Sequence, residues 1–352
     1  MFLNSINNFR AISIIFIVAG HCFVFFGNIS ILSNNTLISR MFLNLILGGS
    51  TLFVIISGFL FHHVYYRKFQ FKKFYLKKIK YVLIPYIILT TLAVSIVFFK
   101  CLYKLNSFEN LLLCFSNINI SKYYFTGMHF FIGYWYIPFV MILFLLTPLF
   151  VSFVRLKITS KIIIVTSLLL VSFVLHRGDS QDFYAILQNV VFYIPVFLLG
   201  ITLSERKDII YSKLKGKDSY LLVIVLLLAF SQSYLGKLGT YEKAPFLFQG
   251  LDLMLIQKIV FSLFFLIWLK RFENFKSTHL NLIAECSFGI YFIHGIIIWV
   301  IEVIKPKLNL TFSINQFYIY IIYFIVIFYL SLFVTYLIKK KFPKYSRYLI
   351  GS

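Results

Sequence analysis

The sequence predicts an all-α protein that crosses a membrane many times, and three observations lead to this fold class. Hydrophobic residues make up 61% of the 352 residues. Charged residues make up only 13%, against about 25% in a soluble domain. The apolar residues are gathered into segments of about 20 residues, the length that crosses a bilayer as a helix. We therefore expect a polytopic membrane protein without a soluble domain.

Ten spans follow from the positions of the apolar segments within one transmembrane domain, residues 1–352. They cover roughly residues 9–27, 42–63, 80–99, 130–153, 161–176, 183–203, 219–236, 247–269, 282–304 and 316–338. Of the 34 Lys and Arg residues, 24 fall on the side of the N-terminus and nine on the other side. Because cytoplasmic loops carry the basic excess, both termini are expected in the cytoplasm. This placement accounts for the net charge of +23 without nucleic-acid binding.

The first span carries an arginine and a histidine on one helix face. Arg10 and His21 are eleven residues apart, which is about three turns and about 16 Å along the axis. Ionisable side chains are costly in lipid, so both are expected to face a polar site inside the bundle. His21 can act as a general base near neutral pH. The alternative is a histidine bonded to a neighbouring helix and an arginine that reaches the headgroups.

Polar residues also interrupt later spans. Tyr291 and His294 are three residues apart and share a face of the ninth span. Together with Ser57 of the second span they are candidates for stabilising an oxyanion. The pair Ser57-Gly58 can instead be small residues that allow close helix packing. Lys258 lies deep in the eighth span and is expected to pair with a carboxylate or a carbonyl oxygen.

The loop before the third span is the most basic part of the chain, and three of its lysines stand close to the span: Lys77, Lys78 and Lys80. Lysines there can hold the phosphate groups of a cytosolic ligand. The alternative is that these lysines only set the membrane topology and bind anionic lipid. On the opposite side, Trp135 fits either an aromatic belt or a stacking platform for a sugar. His129 is a further candidate on the acceptor side.

The four cysteines show no metal-ligand spacing, and no metal site is predicted. Cys22 and Cys286 lie in spans, where a small buried hydrophobic residue is the usual role. Cys101 and Cys114 lie on or near an outer loop and can form a disulfide.

Six segments follow one another in an informative order. They are NNFRAI with the apolar run to His21, FVIISGFL at Phe53 to Leu60, the basic segment Lys77 to Tyr86 with Pro85, the segment Trp135 to Pro148, FLLGITL at Phe197 to Leu203, and SFGIYFIH at Ser287 to His294. In this order they resemble the acyltransferase-3 family of bacterial membrane O-acyltransferases. The resemblance covers nearly the whole chain.

The resemblance implies ten core spans in the bacterial plasma membrane. It implies transfer of an acyl group, acetyl being the expected one, from cytosolic acyl-CoA to a surface polysaccharide or lipid-linked saccharide. The expected partners are thus the lipid bilayer, acyl-CoA as co-substrate and the saccharide acceptor, with no permanently bound cofactor.

For this chemistry His21 is expected to be the base or to form a transient acyl intermediate. Arg10 and the three lysines are expected to hold the phosphates of the donor. The alternative function is a saccharide transporter, flippase or exporter, in which Arg10, His21, Lys258 and Glu302 gate the path or relay protons.

Overall fold

The computed structural model describes residues 3–26, 37–103, 120–127, 130–178, 183–239, 242–305 and 316–352. Within these ranges the regular secondary structure is helical. The α-helices are α1 Asn4–Phe26, α2 Leu37–Ile46, α3 Gly49–Leu60, α4 Phe71–Lys78, α5 Ile84–Tyr103, α6 Ile120–Thr126, α7 Tyr136–Leu145, α8 Thr147–Val154, α9 Ile158–Leu175, α10 Phe183–Glu205, α11 Lys207–Leu214, α12 Asp218–Tyr234, α13 Leu253–Lys270, α14 Thr278–Ile304, α15 Gln316–Lys341 and α16 Ser346–Ile350.

Eight helical stretches in the described ranges are long and apolar enough to cross a membrane. They are Asn4–Phe23, Leu37–Lys68, Phe71–Cys101, Ile158–Leu175, Tyr184–Glu205, Leu253–Lys270, Thr278–Ile304 and Tyr318–Lys341. The pair α7 and α8 forms a further candidate that bends by 54°, at a point where Pro148 interrupts the backbone hydrogen bonding. The shorter α12 is also apolar. The chain is therefore an all-α polytopic membrane protein, and crossing by all ten segments remains a prediction.

Helix α1 contacts α3, α13, α14 and α15 and is buried on several sides. Its first turn is capped by Glu273, whose Oε1 accepts from the Asn4 N–H at 2.7 Å and whose Oε2 accepts from the Ser5 N–H at 3.4 Å. A carboxylate there satisfies donors that have no partner within the helix and complements the helix dipole. Glu273 thus fixes the start of the helix that carries Arg10 and His21.

Two glycines allow α3 and α10 to meet at backbone distance. A Cβ atom on Gly58 would lie 2.1 Å from the carbonyl oxygen of Phe197, and one on Gly200 would lie 2.2 Å from the carbonyl oxygen of Ile55. Any larger side chain would force the two backbones apart. The segments FVIISGFL and FLLGITL therefore pack against each other, and the small-residue interpretation is confirmed for Gly58.

Lys258 is fully buried and binds the C-terminal end of α2. Its Nζ donates to the carbonyl oxygens of Asn44 at 3.0 Å and Leu45 at 2.6 Å. Carbonyls in the last turn of a helix lack partners within it, and a cation there also complements the helix dipole. The chain then turns at Gly48, whose φ of 79° favours glycine, and begins α3. Of the two kinds of partner predicted for Lys258, the structure shows carbonyl oxygens.

Cys22 and Cys286 are free and buried, as predicted. Cys101 is disulfide-bonded. Cys114 lies outside the described residues, so the pairing of these two cysteines stays a prediction.

Candidate active site

A cavity of about 400 Å³ lies inside the bundle, and His21 forms part of its wall. Its polar lining also comprises Ser50, Trp135, Tyr136, Arg177, Glu242 and Tyr291. We call the end of the bundle with Arg177 and Glu242 the Arg177 end, and the opposite end the Lys78 end. On the predicted topology the Arg177 end faces outward and the Lys78 end faces the cytoplasm.

His21 and His294 form a hydrogen-bonded pair between α1 and α14. His21 Nδ1 lies 2.7 Å from His294 Nε2. The two ring planes differ by only 4° and their centres are 5.0 Å apart. The two rings are therefore joined edge to edge in nearly one plane and are not stacked face to face. The hydrogen bond is therefore well aligned.

The hydrogen bonds of His294 determine which nitrogen of His21 carries the proton. His294 Nδ1 lies 3.0 Å from the carbonyl oxygen of Ile290, which can only accept, so this nitrogen carries a proton. The neutral ring of His294 then accepts at Nε2, and His21 donates from Nδ1. His21 Nε2 is left as an unprotonated acceptor with no hydrogen bond to any residue of the described ranges. A free basic nitrogen on a cavity-lining side chain is what a general base requires.

A turn before α7 holds the other edge of the His21 ring. At Gly133, with φ 94°, a Cβ atom would lie 2.7 Å from His21 Cε1. The turn is tied to α14 because the Tyr291 hydroxyl donates to the Gly133 carbonyl oxygen. The Tyr134 hydroxyl likewise donates to the Phe292 carbonyl oxygen, at 3.0 Å. Glycine at this position lets the imidazole lie directly against the backbone.

Arg10 contacts the same neighbouring helix as His21 but lies outside the cavity lining. Its Nη2 donates to the Ala284 carbonyl oxygen and to the Ser287 hydroxyl oxygen, each at 3.1 Å. Because Arg10 meets α14 near Ala284 and His21 meets it at His294, α1 and α14 run in the same direction. The predicted shared face of Arg10 and His21 thus corresponds to the surface of α1 that meets α14.

The three lysines of the basic segment do not converge. Lys78 is half-buried, and its Nζ lies 4.5 Å from the ring centre of Phe144 and 5.2 Å from that of Phe74. The charge of Arg10 acts on Lys78 from α1. Lys77 is exposed. Lys80 is also exposed, and its Nζ lies 5.0 Å from the ring centre of Tyr348. Of the three, Lys78 alone is partly buried in the bundle.

The three candidates for oxyanion stabilisation have their protons engaged elsewhere. The Ser57 hydroxyl donates to the Phe53 carbonyl oxygen at 2.8 Å. The hydroxyl of Tyr291 donates to a carbonyl oxygen of the turn, and His294 uses its N–H on Ile290. In this arrangement none of the three presents a free donor to the cavity. The bonds of Ser57 and His294 run to the carbonyl one turn earlier in the same helix and are local. The bond from Tyr291 to Gly133 joins distant segments, so sequence could not foresee it.

The start of α3 is a source of donors that the sequence analysis missed. Gly48, Gly49 and Ser50 line the cavity, and no side chain caps this helix. The first N–H groups of a helix lack partners within it and carry its partial positive charge. The break after α2, where Lys258 binds the last carbonyls, places this helix start beside His21.

Trp135 lines the cavity next to Arg177, and its place on the acceptor side stays a prediction. Arg177 and Glu242, which line the same cavity, were not anticipated. Both lie in short segments beside spans, where charged residues usually mark only the membrane edge. Among the described residues no cluster of His, Cys, Asp and Glu could hold a metal ion. His129 lies outside the described residues.

The fold and the cavity define a polytopic membrane protein with a hydrogen-bonded histidine pair beside a cavity inside its helical bundle. The acyltransferase-3 family model, described as an acyltransferase domain, matches residues 3–339. The chain belongs to this family and is a membrane acyltransferase. No curated protein and no solved structure matches the chain. Family membership favours acyl transfer over the transporter alternative.

Proposed function

We propose that the protein is a plasma-membrane O-acyltransferase of bacteria that moves an acyl group, acetyl being the simplest case, from acyl-CoA to a saccharide hydroxyl. The observation that carries this proposal is the free Nε2 of His21 at the cavity, with Nδ1 held by His294. A neutral imidazole in a fixed tautomer is suited to take a proton from a hydroxyl group.

In the proposed reaction the acceptor hydroxyl loses its proton to His21 Nε2 as its oxygen attacks the thioester carbonyl carbon. The C–S bond then breaks and the acyl group remains on the acceptor oxygen as an ester. The thiolate of CoA takes the proton back from His21, so the base is regenerated. During the step His21 is a cation whose Nδ1–H still donates to His294, which keeps the ring in place.

The donor is proposed to enter from the Lys78 end. Arg10 and Lys78 are two cations without a carboxylate within 4.0 Å among the described residues. Unpaired, partly buried cations are suited to bind the phosphate groups of CoA. Acyl-CoA is thus a co-substrate, and the proposed chemistry requires no permanently bound cofactor.

The start of α3 is proposed to stabilise the negative charge that develops on the thioester oxygen. Backbone N–H groups at a helix start are preorganised and need no side-chain rearrangement when the charge appears. This assignment takes the place of Ser57, Tyr291 and His294, whose donors are engaged by carbonyl oxygens.

The test is acyl transfer from radiolabelled acetyl-CoA in membranes that contain the protein and the host's surface glycans. His21→Ala and His21→Gln should each lower the rate by about 10²-fold or more, since neither side chain accepts a proton at pH 7. His62→Ala is the matched control. Its imidazole bonds to Ser204 and lies outside the cavity lining, so activity should remain. Full transfer by His21→Ala with His62→Ala also active would refute the proposal.

A further inference from the structure

An ion pair and an indole ring form the Arg177 end of the cavity. Arg177 and Glu242 are paired, and the guanidinium carbon of Arg177 lies 4.5 Å from the ring centre of Trp135. All three side chains line the same cavity as His21. The Arg177 side chain is only 11% exposed and that of Glu242 31%. The pair therefore belongs to the cavity wall and not to the open surface.

The segments that carry the pair are fixed by hydrogen bonds. The Lys243 N–H donates to the Arg177 carbonyl oxygen at 3.0 Å. Gln188 Nε2 on α10 donates to the Lys243 carbonyl oxygen at 3.1 Å, and the Gly178 N–H donates to Asn189 Oδ1 at 3.0 Å. Helix α10 thus holds both segments in place. Binding groups held in this way lose little entropy when a ligand arrives.

The ion pair retains unused hydrogen-bonding capacity. Arg177 Nε is buried and has no hydrogen-bond partner within the described ranges. A guanidinium has five N–H donors and a carboxylate accepts on two oxygens, which is more than one ion pair uses. Nε itself is shielded from the cavity, so a ligand would meet the terminal guanidinium nitrogens and the Glu242 carboxylate. A hydroxyl group, which both donates and accepts, can bond to both.

We propose that Arg177, Glu242 and Trp135 form the acceptor subsite and that the acceptor unit bound there is an uncharged sugar. This inference rests on the proposed function. Neighbouring ring hydroxyls would donate to Glu242 and accept from Arg177, while the apolar face of the sugar lies on Trp135. The same binding brings another hydroxyl into the cavity that His21 lines.

The preference for an uncharged sugar follows from the charges of the lining. Within the described ranges no Lys, Arg, Asp or Glu other than Arg177 and Glu242 lines the cavity. Their charges cancel, and Arg177 already has a carboxylate partner. The carboxylate of a uronic acid would compete with Glu242 for Arg177 and would be repelled by the carboxylate of Glu242. The pair therefore selects against anionic sugars.

The fluorescence of Trp135 provides a test that does not depend on acyl transfer. The chain has three tryptophans, so Trp268→Phe with Trp299→Phe leaves Trp135 as the one reporter. This full-length protein is titrated with methyl glycosides of glucose, galactose and N-acetylglucosamine, and with methyl glucuronide and methyl galacturonide. We expect saturable quenching by at least one neutral glycoside. The uronides should bind about tenfold more weakly or worse.

In the same background Arg177→Gln and Glu242→Gln should each weaken neutral-glycoside binding by about tenfold. Uronides should bind Glu242→Gln better than the parent protein, because the charge of Arg177 becomes available. Arg271→Gln is the matched control: it breaks an ion pair with Asp218 outside the cavity lining and should change nothing. Glu242→Asp serves as a second variant if Glu242→Gln fails to fold, and is expected to weaken neutral glycosides.

Absence of quenching by every neutral glycoside, tighter binding of uronides to the parent protein, or unchanged affinities in Glu242→Gln would each overturn the inference. CoA binding to each variant reports folding. Sugar binding without His21-dependent transfer would contradict the proposed mechanism and leave the subsite standing. Transfer that depends on His21, without these binding changes, would contradict the proposed subsite and leave the proposed mechanism standing.

Discussion

Two hydrogen-bonded histidines on different helices form the proposed catalytic base. His21 faces the cavity, whereas His294 is fully buried behind it and hydrogen-bonded to the carbonyl oxygen of Ile290. That carbonyl fixes the proton on His294, which in turn fixes the proton on His21 and leaves Nε2 free. In the proposed mechanism His294 is a positioning residue that sets tautomer and ring orientation, as the acidic residue does in Ser-His-Asp triads.

Removal of the acceptor on His294 is expected to reduce catalysis without affecting donor binding. His294→Phe keeps an aromatic ring but cannot accept from His21 Nδ1, and kcat should fall between about 10²-fold and 10⁴-fold. His294→Gln retains an acceptor oxygen and should lose less. The measurements are steady-state acyl transfer and CoA binding. Wild-type kcat in His294→Phe would show that the hydrogen bond between the histidines is dispensable.

The sequence predicted which faces of α1 and α14 carry the candidate residues, but not which hydrogen-bond donors on these faces are already engaged. Arg10, His21 and His294 stand out because ionisable groups in apolar helices are costly. The engaged donor of Tyr291 depends on the Gly133 carbonyl, whose position only the folded chain provides, whereas the bond from Ser57 to Phe53 is local to one helix. The sequence also did not distinguish Lys78 from Lys77, because the two lysines differ in their place around the helix and not in their chemistry.

At the scale of helices, the site depends on where helices start and stop. The apolar runs predicted the long helices, since each run is near the length of a membrane span. The break between α2 and α3 was not predicted, because Gly48 and Lys258 are far apart in sequence and become neighbours only when α13 packs against this break. This break places the start of α3 in the cavity wall.

The cap on α1 gives a prediction about pH. Burial by itself raises the pKa of the Glu273 carboxyl, but hydrogen bonds from Ser5 and Asn4 and the charge of Lys270 lower it further, so the net shift is downward. A lowered pKa means that the charged cap stabilises the fold above about pH 4.3, the usual pKa of glutamate, and that this stability is lost as the pH falls through the folded-state pKa.

Glu273→Gln should therefore destabilise the protein by about 1 kcal/mol at pH 7 and by less near pH 3.5, as measured by thermal unfolding in detergent. Glu285→Gln is the control: Glu285 is 66% exposed and lies 3.7 Å from Lys339, so little change is expected at either pH. Equal losses for Glu273→Gln at both pH values would mean that its charge does not support the cap.

At the scale of the whole molecule, the two ends of the bundle are chemically different. Near the Lys78 end Arg10 and Lys78 have no carboxylate within 4.0 Å among the described residues, whereas the Arg177 end presents a neutralised pair beside an indole ring. An anionic donor and an uncharged acceptor would thus reach His21 from opposite ends. This division fits the proposed transfer across a membrane, in which donor and acceptor are on different sides.

Lys78 and Lys77 allow a matched test of the donor end. Lys78→Gln should weaken binding of CoA by about tenfold, since one charge-assisted phosphate contact is lost. Lys77→Gln removes the same charge from an exposed position and should change affinity much less. Calorimetric titration with CoA in low salt measures both. Equal affinities in both variants and the wild type would assign the basic loop to topology and lipid contact alone.

The contacts of α1 constrain the orientation of the chain in the membrane. Helices α1 and α14 run in the same direction, since Arg10 contacts Ala284 and His21 contacts His294. An odd number of crossings must therefore lie between them. The predicted spans give seven, with the bent pair α7–α8 and the short α12 each crossing once. If only one of these two failed to cross, α14 would run the opposite way.

Reporter fusions test this topology. A fluorescent protein fused after Ser352 should be active in the cytoplasm, and alkaline phosphatase inserted after Arg177 should be active outside. If α7–α8 and α12 were both re-entrant, α1 and α14 would still be parallel, but Arg177 would lie on the cytoplasmic side. Phosphatase activity after Arg177 therefore distinguishes ten crossings from eight. Its absence, with a cytoplasmic C-terminus, would move the acceptor subsite to the donor side and contradict transfer across the membrane.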